Sequence, residues 1–220
     1  MLCTFSGCGS KNTSIQVAKL RFLLACCDYG VTPNLGLVVT VSINGKVEIF
    51  PQLTCPPNQA CTLGYLTVPA GGFNFAVQAF GSPPNVVPSQ FQTLNLSPDT
   101  QNTFVLVAPG RGYLFLDDSV PAAGSVKLRT ANADADLNSP AAAWANSDGS
   151  TTGNPTISGV ELGSASNYVT LPPGQYIVTC EPDSLVAGPT TLAANQNVTL
   201  YLWDPNDFLG LQIAFILADN

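Results

Sequence analysis

The sequence predicts an all-β protein made of two tandem Ig-like or transthyretin-like antiparallel β-sandwich domains with little helix. Three observations predict this class. Short β-branched and aromatic segments alternate with turns rich in the 19 Gly and 18 Pro of the 220-residue chain, as is typical of sandwiches. Charged residues make up only 10% of the chain, against about 25% in ordinary soluble domains. The pattern Tyr-x-Thr-aliphatic-Pro-x-Gly-x-aromatic occurs twice, at 65–73 and at 168–176.

Other short stretches recur in the same order and divide the chain into two similar halves. Lys19-Leu20-Arg21 returns as Lys127-Leu128-Arg129, and Gln101-Asn102 returns as Gln196-Asn197. The separation between the copies shrinks along the chain, which indicates shorter loops in the second copy, because loops tolerate deletion better than core strands do. Each half is long enough to bury its own core. The predicted division is an N-terminal tail at 1–11, a first domain at 12–119 and a second domain at 120–220.

The first strand of each copy has one apolar and one basic face. Side chains alternate across a strand, so Leu20 lies on one face and Lys19 and Arg21 lie on the other. The counterparts Lys127 and Arg129 have the same arrangement. We expect all four basic residues to face away from the core of their own domain, where charge protects an edge strand against further pairing. A docking surface is the alternative.

The remaining strands of the first half follow from β-branched runs and turn residues. Asn44-Gly45 separates Leu37–Ile43 from Val47–Phe50 and predicts a tight hairpin, because both turn residues accept a positive φ. The motif at 65–73 predicts a strand, a tight turn and the next strand, in a hairpin that fixes the register. Three more ranges, together with the alternating run Phe73–Ala79, have strand patterning: Phe91–Leu94, Thr103–Val107 and Tyr113–Leu116.

The second half departs from the first near its start, and it ends in an apolar run. Ser139–Ala145 stands where the first copy has a strand and the Asn-Gly hairpin, and it predicts one or two helical turns with Ser139 as N-cap and Pro140 at the first position. Leu211–Leu217 is the most apolar run of the chain. Its length and composition predict a central strand, or one buried on both faces.

Charge and composition argue against several classes of function. The net charge of −7 and the absence of a basic run argue against a nucleic-acid partner. The chain contains no His, which excludes Ser-His-Asp catalysis and argues against zinc, haem and most transition metals. No apolar run reaches the 18 or more residues of a membrane-spanning helix. We therefore expect no cofactor and no enzyme activity, with a paired-carboxylate hydrolase as the least favoured alternative.

Seven cysteines leave at least one thiol outside any intrachain pair. Cys55 and Cys61 flank a Pro-rich loop that a disulfide would close, and two unpaired thiols beside a turn are the alternative. Cys180 is expected to be a buried core thiol. Phe5–Ser10 is similar to a bacterial lipobox around Cys8, although the seven residues before Cys8 lack the charged and apolar regions of a signal. Lipidation of Cys8 and a chance match are both open.

The chain resembles a bacterial family in four stretches. They are the repeated Lys-Leu-Arg, the single Ser-Ile-Asn-Gly, the repeated Tyr-x-Thr-x-Pro-x-Gly and the junction Val-Pro-Ala-Ala-Gly-Ser-Val-Lys-Leu-Arg. The family is the tandem module called domain of unknown function 4397, and the resemblance spans about Ile15 to Asp219. The chain departs from it at the end of each first strand, where the usual aliphatic-Asn-Ala-Ser-Pro-Asp-Ala is eroded. The resemblance implies secreted or surface-anchored β-sandwich modules, often lipid-anchored, and it implies no known catalytic residues.

Three sets of residues are candidates for binding. Asp134, Asp136 and Asn138 have the spacing that opens many calcium loops, but the completing Gly and Glu are missing, and a solvated acidic loop is the alternative. Trp144 and Trp203 would stack on a sugar ring if they are exposed; packing at a domain end or domain junction is the alternative. Two tyrosines at equivalent places in the copies are expected to pack beside the turn and to bond backbone groups through their hydroxyls: Tyr65 and Tyr168.

These observations favour a non-enzymatic extracellular or cell-surface β-sandwich protein that acts as a structural, self-assembly or adhesion module. Its expected partners are other proteins or copies of itself, since strand-rich halves with little charge suit packing or strand addition. A carbohydrate-binding module with a surface glycan as partner is the alternative. The expected location is extracellular, at the cell surface, or as an outer-membrane or periplasmic lipoprotein whose only membrane contact is a lipid on Cys8.

Overall fold

The described residues of the computed structural model form an all-β protein. They are residues 15–24, 38–43, 46–49, 61–62, 64–80, 90–108, 111–117, 120, 123–134, 140–150, 154–181, 185–203 and 213–219. Seventeen strands and no helix occur among them, which confirms the predicted all-β class. In these stretches we find no helix long and apolar enough to cross a membrane.

Nine strands lie in the first half of the chain and eight in the second. The first nine are β1 (Val17–Leu24), β2 (Val38–Ile43), β3 (Lys46–Ile49), β4 (Cys61–Thr62), β5 (Leu66–Pro69), β6 (Gly71–Phe80), β7 (Gln90–Leu96), β8 (Gln101–Ala108) and β9 (Arg111–Asp117). The others are β10 (Val126–Asn132), β11 (Ala141–Asn146), β12 (Thr156–Ile157), β13 (Val169–Leu171), β14 (Gly174–Glu181), β15 (Leu185–Leu192), β16 (Gln196–Trp203) and β17 (Ile213–Ala218).

Each half contributes two sheets with the same strand order. In the first half β4-β1-β8-β9 form one sheet, with β5 also paired to β1, and β3-β2-β6-β7 form the other. In the second half the orders are β13-β10-β16-β17 and β12-β11-β14-β15. We call the sheets containing β1 and β10 the inner sheets and the other two the outer sheets. The matching orders give the repeated sequence motifs a common structural frame.

The inner sheets are mixed rather than purely antiparallel. β1 runs parallel to β8, with Arg21 opposite Thr103, and β10 runs parallel to β16, with Arg129 opposite Thr199. The predicted antiparallel arrangement is therefore wrong at this one pairing of each half. The reason is topological. Between the two paired strands of each half the chain passes through the outer sheet, and it re-enters the inner sheet running in the same direction as the first strand.

The repeated Pro-x-Gly motif is a corner between two sheets. β5 pairs with β1 in the inner sheet, whereas β6, which starts at Gly71, pairs with β2 and β7 in the outer sheet. Gly71 has φ of 104°, a backbone conformation that favours glycine. In the second half β13 and β14 divide in the same way. The predicted strand–turn–strand is present, but the expected register-fixing hairpin is wrong, because the two strands do not pair.

The outer sheets confirm one sequence expectation and overturn another. β2 and β3 pair antiparallel with Ile43 opposite Lys46, as a two-residue Asn-Gly connection requires, although Asn44 and Gly45 themselves lie outside the described residues. The helical turn predicted over Ser139–Ala145 is wrong for its described part, since Ala141–Asn146 is the strand β11. Alternate residues of β11 turn inward, and its pairing with β14 along its whole length overrides the helix propensity of alanine.

The apolar core of the second half lies between its two sheets, which is the packing of a β-sandwich. Inner-sheet residues of this core come from β10, β13 and β16, and outer-sheet residues come from β11, β12, β14 and β15. Its fully buried members include Trp144, Leu128, Leu171, Val178 and Leu200. In the first half, β1 alternates in the same way and buries Ala18, Leu20 and Phe22 on one face.

The apolar C-terminal strand lies at a sheet edge. β17 pairs with β16 and ends the order β13-β10-β16-β17, so the expectation of a central strand is wrong. Ile216 packs against the core of the second half, while Asp219, directly after β17, is fully buried. Because the inner sheet has other layers on both sides, a strand at its edge can be apolar without being central.

Candidate functional site

The two inner sheets pack against each other through the faces that point away from their own sandwich cores. One apolar cluster contains residues of both halves. We call this contact between the inner sheets the joint. Its buried apolar members are Leu23, Val105 and Phe115 from the first half and Ala131, Ala133, Tyr201 and Trp203 from the second.

Arg21 connects the first half to the end of the second across the joint. Its Nε and Nη2 atoms donate hydrogen bonds to Oγ1 of Thr103, at 3.0 and 2.8 Å. Nη2 also lies 2.7 Å from Oδ1 of Asp219, and Nη1 donates to the carbonyl oxygen of Ala218 at 2.5 Å. The guanidinium is 4% exposed and the carboxylate of Asp219 is fully buried. This is a buried, charge-assisted contact between strands of different halves.

Arg129 makes the same set of contacts in the opposite direction. Its Nε donates to Oγ1 of Thr199 at 2.9 Å, its Nη2 lies 2.6 Å from Oδ1 of Asp117, and its Nη1 donates to the carbonyl oxygen of Leu116 at 2.6 Å. Each arginine thus binds the threonine of its own half, and the carboxylate and preceding carbonyl of the other half. The joint has a pseudo-twofold axis, and its two Arg and two Asp charges balance.

A tyrosine closes each end of this polar network. The Tyr65 hydroxyl donates to Oδ2 of Asp117 at 2.8 Å, and the Arg21 guanidinium carbon lies 4.6 Å from the centre of its ring. The Tyr168 hydroxyl donates to Oδ2 of Asp219 at 2.9 Å, and the Arg129 guanidinium carbon lies 4.7 Å from its ring centre. These are cation–π distances. The expectation that the hydroxyls bond backbone groups is wrong, because carboxylates of the same half take them.

The carboxylates accept one further hydrogen bond each. Oγ1 of Thr103 donates to Oδ2 of Asp117 at 2.6 Å, and Oγ1 of Thr199 donates to Oδ2 of Asp219 at 2.6 Å. Every carboxylate oxygen of the joint therefore has at least one donor, a condition under which buried charge is tolerated. Such a network holds groups in place; it leaves no carboxylate open to solvent for proton transfer to a substrate.

Burial and neighbouring charge shift the pKa values in the joint. Burial raises the pKa of Asp117 and the carboxylate of Asp219 raises it further, while the hydrogen bond from Thr103 and the two guanidinium groups act against this. Burial alone would lower the pKa of Arg21, but Tyr201, Tyr65 and the two carboxylates together raise it. Both arginines therefore remain charged across the ordinary pH range.

The predicted role of the basic faces is wrong for the two arginines. Arg21 and Arg129 do face away from their own cores, as expected, but they are 4% and 5% exposed because the other half covers them. Nor do they lie on edge strands, since β1 pairs with β5 and β8 and β10 pairs with β13 and β16. Lys19, on the same face of β1, is exposed.

The pseudo-symmetry is broken at the apolar centre of the joint. Leu23 lies opposite Val105 in the first half, and Ala131 lies opposite Tyr201 at the matching place in the second. The Tyr201 ring packs edge-on against Phe115, with 5.7 Å between ring centres. Its hydroxyl is buried beside the side chain of Thr103 and makes no hydrogen bond to a carboxylate. One half therefore contributes two medium side chains where the other contributes a small and a large one.

Neither tryptophan is available to a ligand. Trp144 and Trp203 are each 1% exposed. Trp144 packs in the core of the second half, edge-on to Tyr176 with 6.4 Å between ring centres. Trp203 packs in the joint with residues of both halves. Stacking of a sugar on these rings is a wrong expectation, because both indoles are covered by protein, and the alternative of packing at a domain junction describes Trp203.

The proposed calcium loop is only partly described. Asp134 is 1% exposed, and its backbone amide donates to Oδ1 of Asn132 at 2.9 Å, whereas Asp136 and Asn138 lie outside the described residues. A solvated loop does not describe Asp134. Within the described stretches no group of three or more Cys, Asp or Glu is arranged to hold a metal ion.

The cysteine predictions divide between described and undescribed residues. Cys180 is a free thiol, 2% exposed, which confirms its predicted place in the core. Burial, with a smaller contribution from Glu181, raises its pKa to about 11. Cys8 and Cys55 lie outside the described residues, and Cys61 is described only as backbone in β4, so the disulfide and the lipidation stay predictions.

A small open groove lies on the surface of the first half beside the start of β1. Its volume is about 210 Å³, and it is lined by Val17, Lys19, Thr67, Asp99 and Gln101 among others. Asp99 is the only carboxylate of this lining. A paired-carboxylate hydrolase needs two acids facing one substrate, and this groove does not provide them.

The sequence reasoning missed the residues that join the halves, above all Asp117 and Asp219. A signal for them exists. An aspartate stands at the end of the last inner strand of the first half and directly after that of the second, each time following an apolar residue, in Leu116-Asp117 and Ala218-Asp219. Thr103 and Thr199 occupy matching positions of β8 and β16 and complete the same pattern. Aligning the copies on their strands, rather than on the turn motifs alone, would have revealed that the arginine, the threonine, the aspartate and the tyrosine of the first half all recur in the second.

Comparison with known proteins identifies no family. No family model matches the sequence, and no curated protein matches it.

Similar solved structures resemble the chain only distantly. The Bacillus anthracis TIE protein has a TM-score of 0.27 and 9% identity, covering 84% of this chain and 34% of its own; the chain thus spans about a third of that protein. The CBM26-family module CBMbc of Eubacterium rectale Amy13K, solved with maltoheptaose, has a TM-score of 0.30 and 10% identity over 90% and 96%. A candidate cell adhesion protein of Bacteroides fragilis NCTC 9343 has a TM-score of 0.23 and 8% identity over 92% and 98%.

Proposed function

We propose that the chain is a non-enzymatic structural module of an extracellular or cell-surface protein. In this proposal two tandem Ig-like β-sandwiches, at 12–119 and 120–220, are held side by side as one rigid unit. The observation that carries the proposal is the reciprocal pair of buried contacts, Arg21 with Asp219 and Arg129 with Asp117. A flexible tandem array would expose these faces, whereas the joint buries them and fixes the angle between the halves.

The use of the chemically active side chains supports a structural role. Both Asp117 and Asp219 have fully buried side chains, and each is saturated with hydrogen bonds from arginine, threonine and tyrosine. The groove beside β1 brings a single carboxylate to the surface. An active site needs groups that reach the substrate, whereas Asp117 and Asp219 are used to hold the two halves together.

The surface composition supports a location outside the cytosol. Only 10% of the residues are charged, so the strands present neutral polar side chains to solvent. The resemblance to domain of unknown function 4397 points to the same location, with lipidation of Cys8 as the means of attachment. A rigid module with a neutral surface would serve as a spacer or assembly unit, its partners being other proteins or copies of itself.

The location is tested by treating intact cells of the source organism with a protease. We expect peptides of this chain among those released, and a diacylglyceryl group on Cys8 in mass spectra of the native N-terminus. Release only after cell lysis would contradict an extracellular module, whatever the state of Cys8.

The rigid unit is tested by small-angle X-ray scattering of the purified chain. We expect a single compact envelope that accommodates both halves in contact, with a radius of gyration that does not change between 50 mM and 500 mM salt. An extended or heterogeneous ensemble would contradict the rigid arrangement. An exposed ion pair would weaken over this range of salt, but a buried one is screened much less.

A further inference from the structure

The two surfaces that meet in the joint are interchangeable in their polar groups. Each presents an arginine, a threonine, an aspartate and a tyrosine at matching positions, and the contacts of each arginine with the aspartate and the preceding carbonyl of the other half occur twice with the roles exchanged. The polar part of this contact is pseudo-isologous, since two similar but not identical surfaces exchange roles as identical surfaces do in two-fold dimers. The polar groups match whenever a first half meets a second half, whether the two halves belong to one chain or to two. The matched sets are Arg21, Tyr65, Thr103 and Asp117, and Arg129, Tyr168, Thr199 and Asp219.

We propose that the joint is also an assembly surface between two copies of this chain. In the assembled form the first half of each copy pairs with the second half of the other, so that a closed dimer contains two joints. This inference deepens the self-assembly role contained in the proposed function and rests on it.

The apolar centre of the joint determines that unlike halves pair. Two first halves would bring together two copies of Val105 and two of Leu23, and would leave a void where the Tyr201 ring now packs against Phe115. Two second halves would force two Tyr201 rings into one space. Voids and overpacking both destabilise a core. A joint between two copies can therefore form only between the first half of one copy and the second half of the other.

The connection between the halves decides whether the joint forms within one chain or between two. β9 ends at Asp117, and the carbonyl oxygen of Val120 already accepts bonds from the second half, from Nζ of Lys127 at 2.8 Å and Nδ2 of Asn197 at 3.1 Å. Only two residues of the sequence separate Asp117 from Val120. A short tether of this kind gives a high effective concentration of the partner half. Joints within one chain dominate in dilute solution for that reason. A connection too short to let both halves of one chain meet would remove this advantage.

The experiment shortens this connection in the full chain by deleting residues 118 and 119. The matched control inserts a flexible Gly-Ser stretch at the same place. We expect light scattering to give the shortened chain twice the mass of the 22.9 kDa monomer and to leave the control at the monomer mass. A shortened chain that is folded and monomeric at every concentration would overturn the proposal.

A second experiment decides the matter if the shortened chain does not fold. Two wild-type preparations with different affinity tags are mixed at high concentration, carried through the denaturant midpoint and returned to buffer. We expect each tag to capture the other after this treatment and not before it. If the treated mixture shows no more capture than an untreated one, the two copies do not exchange halves and the proposal is overturned. A folded monomer or absent capture leaves the surface location untouched, and a failed protease-release experiment leaves the exchange untouched, so the two proposals fail separately.

Discussion

Arg21 and Asp219 are 198 positions apart in the sequence, yet Nη2 of the first lies 2.7 Å from Oδ1 of the second. The side chains are 4% and 0% exposed. A buried ion pair often contributes little net stability, because removing two charges from water offsets much of their attraction. Here the pair and its symmetric counterpart, Arg129 with Asp117, specify how the two inner sheets align, since an apolar face alone would accept many registers.

The first prediction concerns removal of one partner of this pair. Asp219→Asn removes the nearer counter-charge of the buried Arg21 guanidinium and leaves only Asp117, at 3.8 Å, so we expect the free energy of unfolding to fall by about 3–5 kcal/mol. The double variant Arg21→Met/Asp219→Leu removes both charges and should recover a large part of this loss. Urea denaturation of the single and double variants measures both effects.

Glu161→Gln is the matched control for this series, because Glu161 is an exposed carboxylate of the second half and its removal should change the free energy of unfolding by less than about 0.5 kcal/mol. A loss for Asp219→Asn no larger than that of the control would show that the joint does not hold the halves together.

The strands and turns within each half could be predicted in large part from the sequence, because the alternation of apolar residues and the turn residues act locally. Leu20 and Phe22 on β1, the Asn-Gly connection after Ile43 and the buried thiol of Cys180 follow from such patterns. The same rules failed at Ala141–Asn146, where pairing with β14 decides the conformation and the local propensity of alanine does not.

The joint could not be predicted in this way, because it depends on two surfaces from distant parts of the chain. A basic residue on the outward face of a strand normally meets solvent, so Arg21 and Arg129 were expected to be exposed. The clue lies in β16, where Thr199, Tyr201 and Trp203 form an outward face without a single charge. A strand whose two faces both lack charge is covered on both sides, and that reading would have placed a second layer beyond the inner sheet.

The second prediction compares three tyrosine hydroxyls of the joint. Tyr65→Phe and Tyr168→Phe each remove one hydrogen bond to a buried carboxylate and keep the ring beside its arginine, so each should lower the free energy of unfolding by about 1.5–3 kcal/mol. The two losses should be equal within error, because the pseudo-twofold axis gives the hydroxyls equivalent partners.

Tyr201→Phe is the control for these two changes. Its buried hydroxyl lies beside the side chain of Thr103 and makes no hydrogen bond to a carboxylate, so its removal should cost less stability than the removal of either other hydroxyl. Thermal unfolding of the three variants gives the comparison. A loss for Tyr201→Phe as large as that for Tyr65→Phe would contradict the hydrogen-bond assignment.

The third prediction is a loss of stability at alkaline pH. Burial raises the pKa of Cys180 from its ordinary 9.0 to about 11, and burial followed by the charge of Asp117 raises the pKa values of Tyr65 and Tyr201. The folded protein therefore holds protons that the unfolded chain releases, and stability falls as pH rises. For Cys180 the loss begins near pH 9 and is complete above about pH 11.

Denaturant midpoints at neutral pH and at several values between pH 9 and 11 measure this loss. Cys180→Ala removes one of the titrating groups, so its midpoint should fall less steeply over that range than the midpoint of the wild type. Identical slopes for the two proteins would show that the Cys180 thiol ionises in the folded state as readily as in the unfolded chain.

The last prediction separates backbone strain from packing at the joint. Gly159 and Gly163 have nearly the same positive φ, 72° and 74°, so an alanine at either position strains the backbone by about 1–2 kcal/mol. An added Cβ at Gly159 meets nothing within 4 Å, but at Gly163 it lies 2.9 Å from Cδ1 of Tyr113, a joint residue of the other half. We expect Gly163→Ala to lose about 1–3 kcal/mol more than Gly159→Ala. In a Tyr113→Ala background this difference should largely disappear, because the clashing ring is gone. Equal losses in the wild-type background would mean that the loop at 161–166 does not rest on the first half in solution.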